Sequence, residues 1–143
     1  MKKLAVTVVI MLFTTISFAQ KIKQKNIPAS VLSAFQKIYP TAKEINWDKE
    51  GDKYEASFDL NKIEHSVLMD AQGNLIESEV EIDLNQLPKG VLTYVKTNYP
   101  GRPAKEGAKI IDAKGNVTYE VEIKGMDLIF DSNGIFIKEL KDN

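Results

Sequence analysis

The chain of 143 residues contains no cysteine, a single histidine and a single tryptophan. Without cysteine there is no disulfide framework and no lipid-anchored cysteine at a processing site, so packing alone must hold any exported fold together. One histidine, His65, excludes a two-histidine metal site. It could pair with Ser66 or Ser57 in a Ser-His-Asp arrangement, but neither serine sits in a G-x-S-x-G elbow, and a strand histidine is the simpler reading. Charge of one sign is also missing: 19 basic against 20 acidic residues leave a net charge of −1. That is no polybasic field, and it argues against a nucleic-acid partner. Long apolar runs are absent apart from Leu4 to Phe13, which follows Met1-Lys2-Lys3 and precedes Ser17-Phe18-Ala19. The pattern predicts a cleaved secretory signal over residues 1–19. The run is short for a membrane span and no second one follows, so the sequence predicts an exported protein, periplasmic or secreted, without stable membrane insertion after cleavage.

What the chain does have is an echo of itself. Ile27 to Pro40, IPASVLSAFQKIYP, returns as Leu87 to Pro100, LPKGVLTYVKTNYP, at a constant offset. Each copy predicts a short amphipathic helix that starts near a proline and cannot pass the closing Tyr-Pro step. Val31, Leu32, Phe35, Ile38 and Tyr39 fall on one arc, repeated by Val91, Leu92, Val95 and Tyr99, with Asn98 as a polar intrusion. Helices this short need a sheet to lie on.

After each helix the period changes to two. The first copy predicts strands around Ile45 and Trp47, Tyr54 to Leu60, Ile63 to Met69 and Leu75 to Ile82; the second predicts Lys109 to Asp112, Val117 to Lys124, Met126 to Phe130 and Ile135 to Leu140. The connections Asp70-Ala71-Gln72-Gly73, Asp112-Ala113-Lys114-Gly115 and Asp131-Ser132-Asn133-Gly134 share one turn signature, aspartate opening and glycine closing. The last of them also resembles the start of a calcium loop, without the ligand set that motif requires.

The expected fold is therefore α+β: two units, residues 20–83 and 84–143, each a helix plus a four-stranded antiparallel meander. Together they form a sheet of about eight strands with both helices on one face and a shared core. Gln20 to Asn26 is expected to be a mobile leader. Strand alternation turns Glu55, Ser57, Asp59, Glu64, Ser66, Glu77, Glu79, Glu81, Glu120 and Glu122 outward, an acidic surface on which Leu68 and Ile129 are apolar exceptions. Trp47 shares a parity with Ile45 and reads as core.

The tandem pattern, I-P-x-x-V-L opening the first helix, Y-P closing both, a D-x-x-G hairpin before the last strand and a signal segment in front, resembles the secreted PepSY-like, β-lactamase-inhibitor-like proteins over residues 27–140. The resemblance implies a tandem helix-plus-meander architecture whose open sheet face receives a partner, and it carries no catalytic residues across.

Two functions of different class follow. The first is a non-catalytic binding module whose acidic face (Glu55, Asp59, Glu64, Glu77, Glu79, Glu120 and Glu122) receives a protein or peptide, of basic character if charge decides. The second is a small-ligand or cation binder that uses the same carboxylates directly. Paired glutamates for glycoside hydrolysis need a cleft to raise one pKa, which a flat face would not supply. No enzyme, metal site or cofactor is expected.

Overall fold

A computed structural model describes residues 20–141, and the expected signal segment, residues 1–19, lies outside the described residues. The strands are β1 (Gln20–Lys21), β2 (Asn46–Glu50), β3 (Lys53–Leu60), β4 (Ile63–Met69), β5 (Leu75–Ile82), β6 (Glu106–Asp112), β7 (Val117–Ile123), β8 (Met126–Asp131) and β9 (Phe136–Lys141). They lie side by side in chain order as a single nine-stranded antiparallel sheet. Helix α1 (Ala29–Ile38) precedes β2, and α2 (Val91–Asn98) precedes β6.

The ninth strand corrects the expectation of about eight, and it comes from the segment expected to be mobile. Gln20 and Lys21 pair with Lys49 and Asp48, and the Ile22 N–H continues the edge by donating to the Trp47 carbonyl at 2.9 Å. Two polar residues carry no alternation, so the strand is invisible to periodicity. The second helix also departs from the repeat. Gly90 adopts φ 95°, and this left-handed residue delays α2 to Val91.

Each helix has its own core, where the sequence predicted a shared one. Val31 and Phe35 of α1 pack with Trp47, Ala56, Phe58, Val67 and Met69. Val91 and Val95 of α2 pack with Val121, Ile123, Met126, Leu128 and Phe130. Phe35 sits edge-on to Phe58 at 5.1 Å and to Trp47 at 5.3 Å, and these three rings are buried in the first core where the second buries only Phe130. Between the clusters the ladder carries Ser78 and Lys109 among half-buried residues, and polar side chains there interrupt the apolar surface. The predicted helix arcs are too wide: Ile38 is 47% exposed and Leu92 41%, leaving the first and third members of each arc, Val31 and Phe35 or Val91 and Val95, as the buried contacts.

The three aspartate turns are built alike. Asp70, Asp112 and Asp131 each accept backbone N–H bonds from the residues two and four positions on, at 2.8–2.9 Å. Asp131 thus spends one carboxylate oxygen on its own turn, the structural role rather than the calcium-loop one. Two of these turns dock on helix starts, Gly73 against Ser30 and Gly134 against Pro88 and Lys89.

Candidate functional site

Residues directly opposite one another in a ladder share a face. One parity runs Ala56, Val67, Ser78, Ile111, Val117, and the other runs Glu81, Ala108, Glu120, Ile129, Lys138. Glu55, Asp59, Glu64, Glu77, Glu79 and Glu122 all fall on the second parity, as the alternation predicts.

That face is not flat. Glu55, Glu64, Glu79, Glu81, Glu106, Glu120 and Glu122 line a cavity of about 170 Å³ with Ser57, Ser66 and Ala108. The small side chains make the space: Ser57 and Ser66 are directly paired, and Ala108 stands between Glu81 and Glu120. A register shift between Leu68 and Met69, repeated between Ile129 and Phe130, breaks the regular ladder in each half, where bulges bend strands. Ile129, expected as an exposed exception, is buried, and Leu68 is half-buried.

Of the seven predicted site residues, five meet around the cavity, while Asp59 and Glu77 lie outside its lining. Asp59 and Glu64 are exposed; Glu55, Glu77, Glu79, Glu120 and Glu122 are half-buried. Glu106 was missed because the sixth strand begins three residues before the predicted one, at a Glu-Gly step with no alternation to mark it. Its parity with Ala108 and Ile110 was the available signal.

Burial and crowding raise the carboxyl pKa values. Desolvation is the first cause at Glu120, pushed up to about 8, with Glu79 and Asp127 adding like charge. Glu79 rises to about 7, again first by desolvation and then by Glu55. At Glu55 desolvation and the charge of Glu50 lift the group to about 7 against the opposing Ser66 hydrogen bond. Glu77 is raised by burial and Glu50, with Lys53 and Lys138 opposing. Glu106, exposed, is raised chiefly by the charge of Glu122. Among the described residues, the one ion pair within 4 Å joins Lys105 to Glu122, at 2.8 Å. A half-buried acidic surface with so little internal countercharge favours either proton uptake or an external cation.

Of the groups considered for catalysis, the glutamates do meet at the cavity, whereas His65 and the two serines, although all three line it, take opposite parities of the ladder. His65 pairs in register with Phe58 and Val80 and stacks on the Phe58 ring at 5.6 Å. Its imidazole therefore lies on the parity opposite Ser57 and Ser66, and desolvation lowers its pKa. Among the described residues, no group of three or more histidine, aspartate or glutamate side chains is arranged to hold a metal ion. No described helix is long and apolar enough to cross a membrane.

Comparison with solved structures gives the same architecture. A protein from Bacteroides eggerthii whose description reads "putative periplasmic proteins" superposes with TM-score 0.70 at 18% identity, covering 80% of this chain and 88% of that one. A DUF2874 family protein from Bacteroides uniformis gives 0.68 at 22% identity, with coverage of 80% and 88%. A BLIP-like protein from Bacteroides fragilis gives 0.62 at 26% identity, with coverage of 80% and 86%. Among curated proteins, none matches the chain. A family model matches twice in tandem, over residues 15–77 and 76–138, and by it the chain belongs to the family described as "Putative beta-lactamase-inhibitor-like, PepSY-like".

Proposed function

We propose that this chain is a non-catalytic, exported, inhibitor-like binding module that receives a basic segment of a partner protein or peptide on its acidic sheet face. The observation that carries the reading is the half-buried set Glu55, Glu79 and Glu120, raised in pKa around one cavity that has, among the described residues, one ion pair on its rim, Lys105 to Glu122. A lysine or arginine placed there would exchange water for several carboxylates in a site of reduced dielectric, where ionic hydrogen bonds are strongest. Membership of an inhibitor-like family and the likeness to a BLIP-like protein support a protein partner over a reaction.

The same reading places both helices on the face opposite the acidic one, with each unit, 20–83 and 84–143, a helix plus a four-stranded meander. Its support is the ladder parity, which puts the strand residues of both cores on one side. Export is supported by the apolar segment at Leu4 to Phe13 and by a structural neighbour described as periplasmic.

The test is capture from envelope extract by the chain from Gln20 onward, compared with the Glu77→Lys/Glu79→Lys variant, followed by titration of the captured protein. Loss of capture on reversal, with folding intact, supports the acidic face; undiminished capture would refute it. A melting temperature that rises in millimolar calcium or magnesium and falls back with chelator would point instead to the cation-binding alternative.

A further inference from the structure

A second charged surface lies at the β1 edge of the sheet, apart from the acidic cavity. Lys21, Lys23, Lys25 and Lys49 are exposed there, and with Gln20, Ile22 and Asn26 they line a shallow hollow of about 420 Å³ that has no carboxylate in its wall. Among the described residues none of the four ammonium groups has a carboxylate within 4 Å. Asp48 stands opposite Lys21 in the ladder, yet the charge of Asp48 bears on Glu55, toward the acidic side.

The lysines are held by ordered backbone rather than strung along a tail. Gln20 pairs with Lys49, the Ile22 N–H donates to Trp47 O at 2.9 Å, and a tight turn closes with the Asn26 N–H on Lys23 O at 2.8 Å. We propose that this lysine edge docks the protein peripherally on an anionic lipid surface.

Three features select that occupant. The hollow is open and shallow, without walls to enclose a single ion. Its cations are all lysines, hydrated point charges on flexible stems that suit a diffuse field and lack the fork that recognises one phosphate. An extended polyanion such as nucleic acid would also meet the glutamate face of the same small sheet, whereas a lamella need touch only the edge. Docked there, the protein would keep its acidic face away from the anionic surface and open to a partner.

The experiment uses the chain from Gln20 onward, which contains every strand and helix described, in co-sedimentation with vesicles. Binding is expected to phosphatidylcholine vesicles with about one-third phosphatidylglycerol and not to pure phosphatidylcholine, and it should vanish near 1 M salt, where the screening length is about 3 Å. The K21Q/K23Q/K25Q variant should lose about 100-fold in partition coefficient. The K96Q/K114Q/K141Q variant, which removes the same formal charge elsewhere, should bind as the parent does. Circular dichroism and melting confirm that both variants are folded. Equal binding to the two vesicle types, equal loss in the two variants, or tighter binding to a short DNA duplex than to the anionic vesicles would each overturn the proposal.

Discussion

A Cβ placed on Gly73 would stand 2.6 Å from the carbonyl oxygen of Ser30, because the β4–β5 turn is seated on the first turn of α1. The Ser30 hydroxyl fastens the same contact by donating to the Ala71 carbonyl at 2.7 Å. Gly73 also has φ +84°, so alanine there meets both left-handed strain and a backbone that cannot step aside. Gly115 has the same φ with open space around it. Gly115→Ala should therefore cost about 1–2 kcal/mol, from the backbone conformation alone. Gly73→Ala should cost about 2–5 kcal/mol, since overpacking adds to it. Urea denaturation of the two variants measures the difference, and equal losses would mean that the turn does not bear on the helix.

The crowded glutamates give stability a pH dependence with a definite sign. Glu55 and Glu79 at about 7 and Glu120 at about 8 in the fold stand above their ordinary value of 4.5. The folded protein therefore holds protons that the unfolded chain releases. Their favourable contribution is complete below pH 4.5 and is lost as pH rises through 7 to 8. Asp70 and Asp112, lowered by their turn hydrogen bonds, act only at more acidic pH. Melting temperature should thus fall between about pH 5.5 and 8.5. Glu79→Gln/Glu120→Gln should flatten that slope and raise stability at the alkaline end. A parent curve that rises across this window would show that the carboxyls are already ionised.

Strand existence and facing were legible because alternation is imposed by the backbone: Glu55, Glu79 and Glu120 sit on the parity their neighbours demand. Their half-burial was not legible. Parity says which side a residue takes, whereas depth depends on Ser57, Ser66 and Ala108 lying between the glutamates and on register shifts after Leu68 and Ile129. The division of the core was hidden for a related reason, since Ser78 comes to stand opposite Ile111, and Lys109 opposite Val80, only once β5 pairs with β6. Gln20 and Lys21 gave no signal at all, being two polar residues whose strand exists through their partners on β2.

Within the first core, Phe35 is the contact that most of the aromatic packing converges on, touching Tyr39, Trp47 and Phe58 with ring centroids at 5.1–5.5 Å. Phe35→Ala should cost about 3–5 kcal/mol, and Val95→Ala in the second core less, since fewer carbon atoms leave. Trp47, the sole tryptophan, lies 5.3 Å from Phe35, so its fluorescence should report the first loss directly. A Phe35→Ala variant as stable as the parent would mean that the helix is not seated as described.

Two separate cores raise the question of whether the halves are independent, and the β5–β6 ladder answers it. Six residue pairs, from Glu77↔Asp112 to Ile82↔Gly107, join the units with the same regular hydrogen-bonded pairing that runs inside each of them. Gly107 at the end of that ladder lies beneath Leu84 and Leu87, where an added Cβ would stand 3.3–3.5 Å from their methyl groups, so the connection into α2 also rests on the junction. A unit of about sixty residues buries only about 60% of the surface its unfolded chain exposes, and whole-domain margins are only about 5–15 kcal/mol. Cutting within Asp83 to Gln86 would bare two inner strand edges as well, each a template for aggregation. Residues 20–83 and 84–143 made separately should each be largely unfolded or aggregated, and the joined chain should melt in one transition by calorimetry, with calorimetric and van't Hoff enthalpies equal. A soluble half with native-like dispersion of its amide signals, or two resolved transitions in the whole chain, would show that the junction ladder does not couple the units.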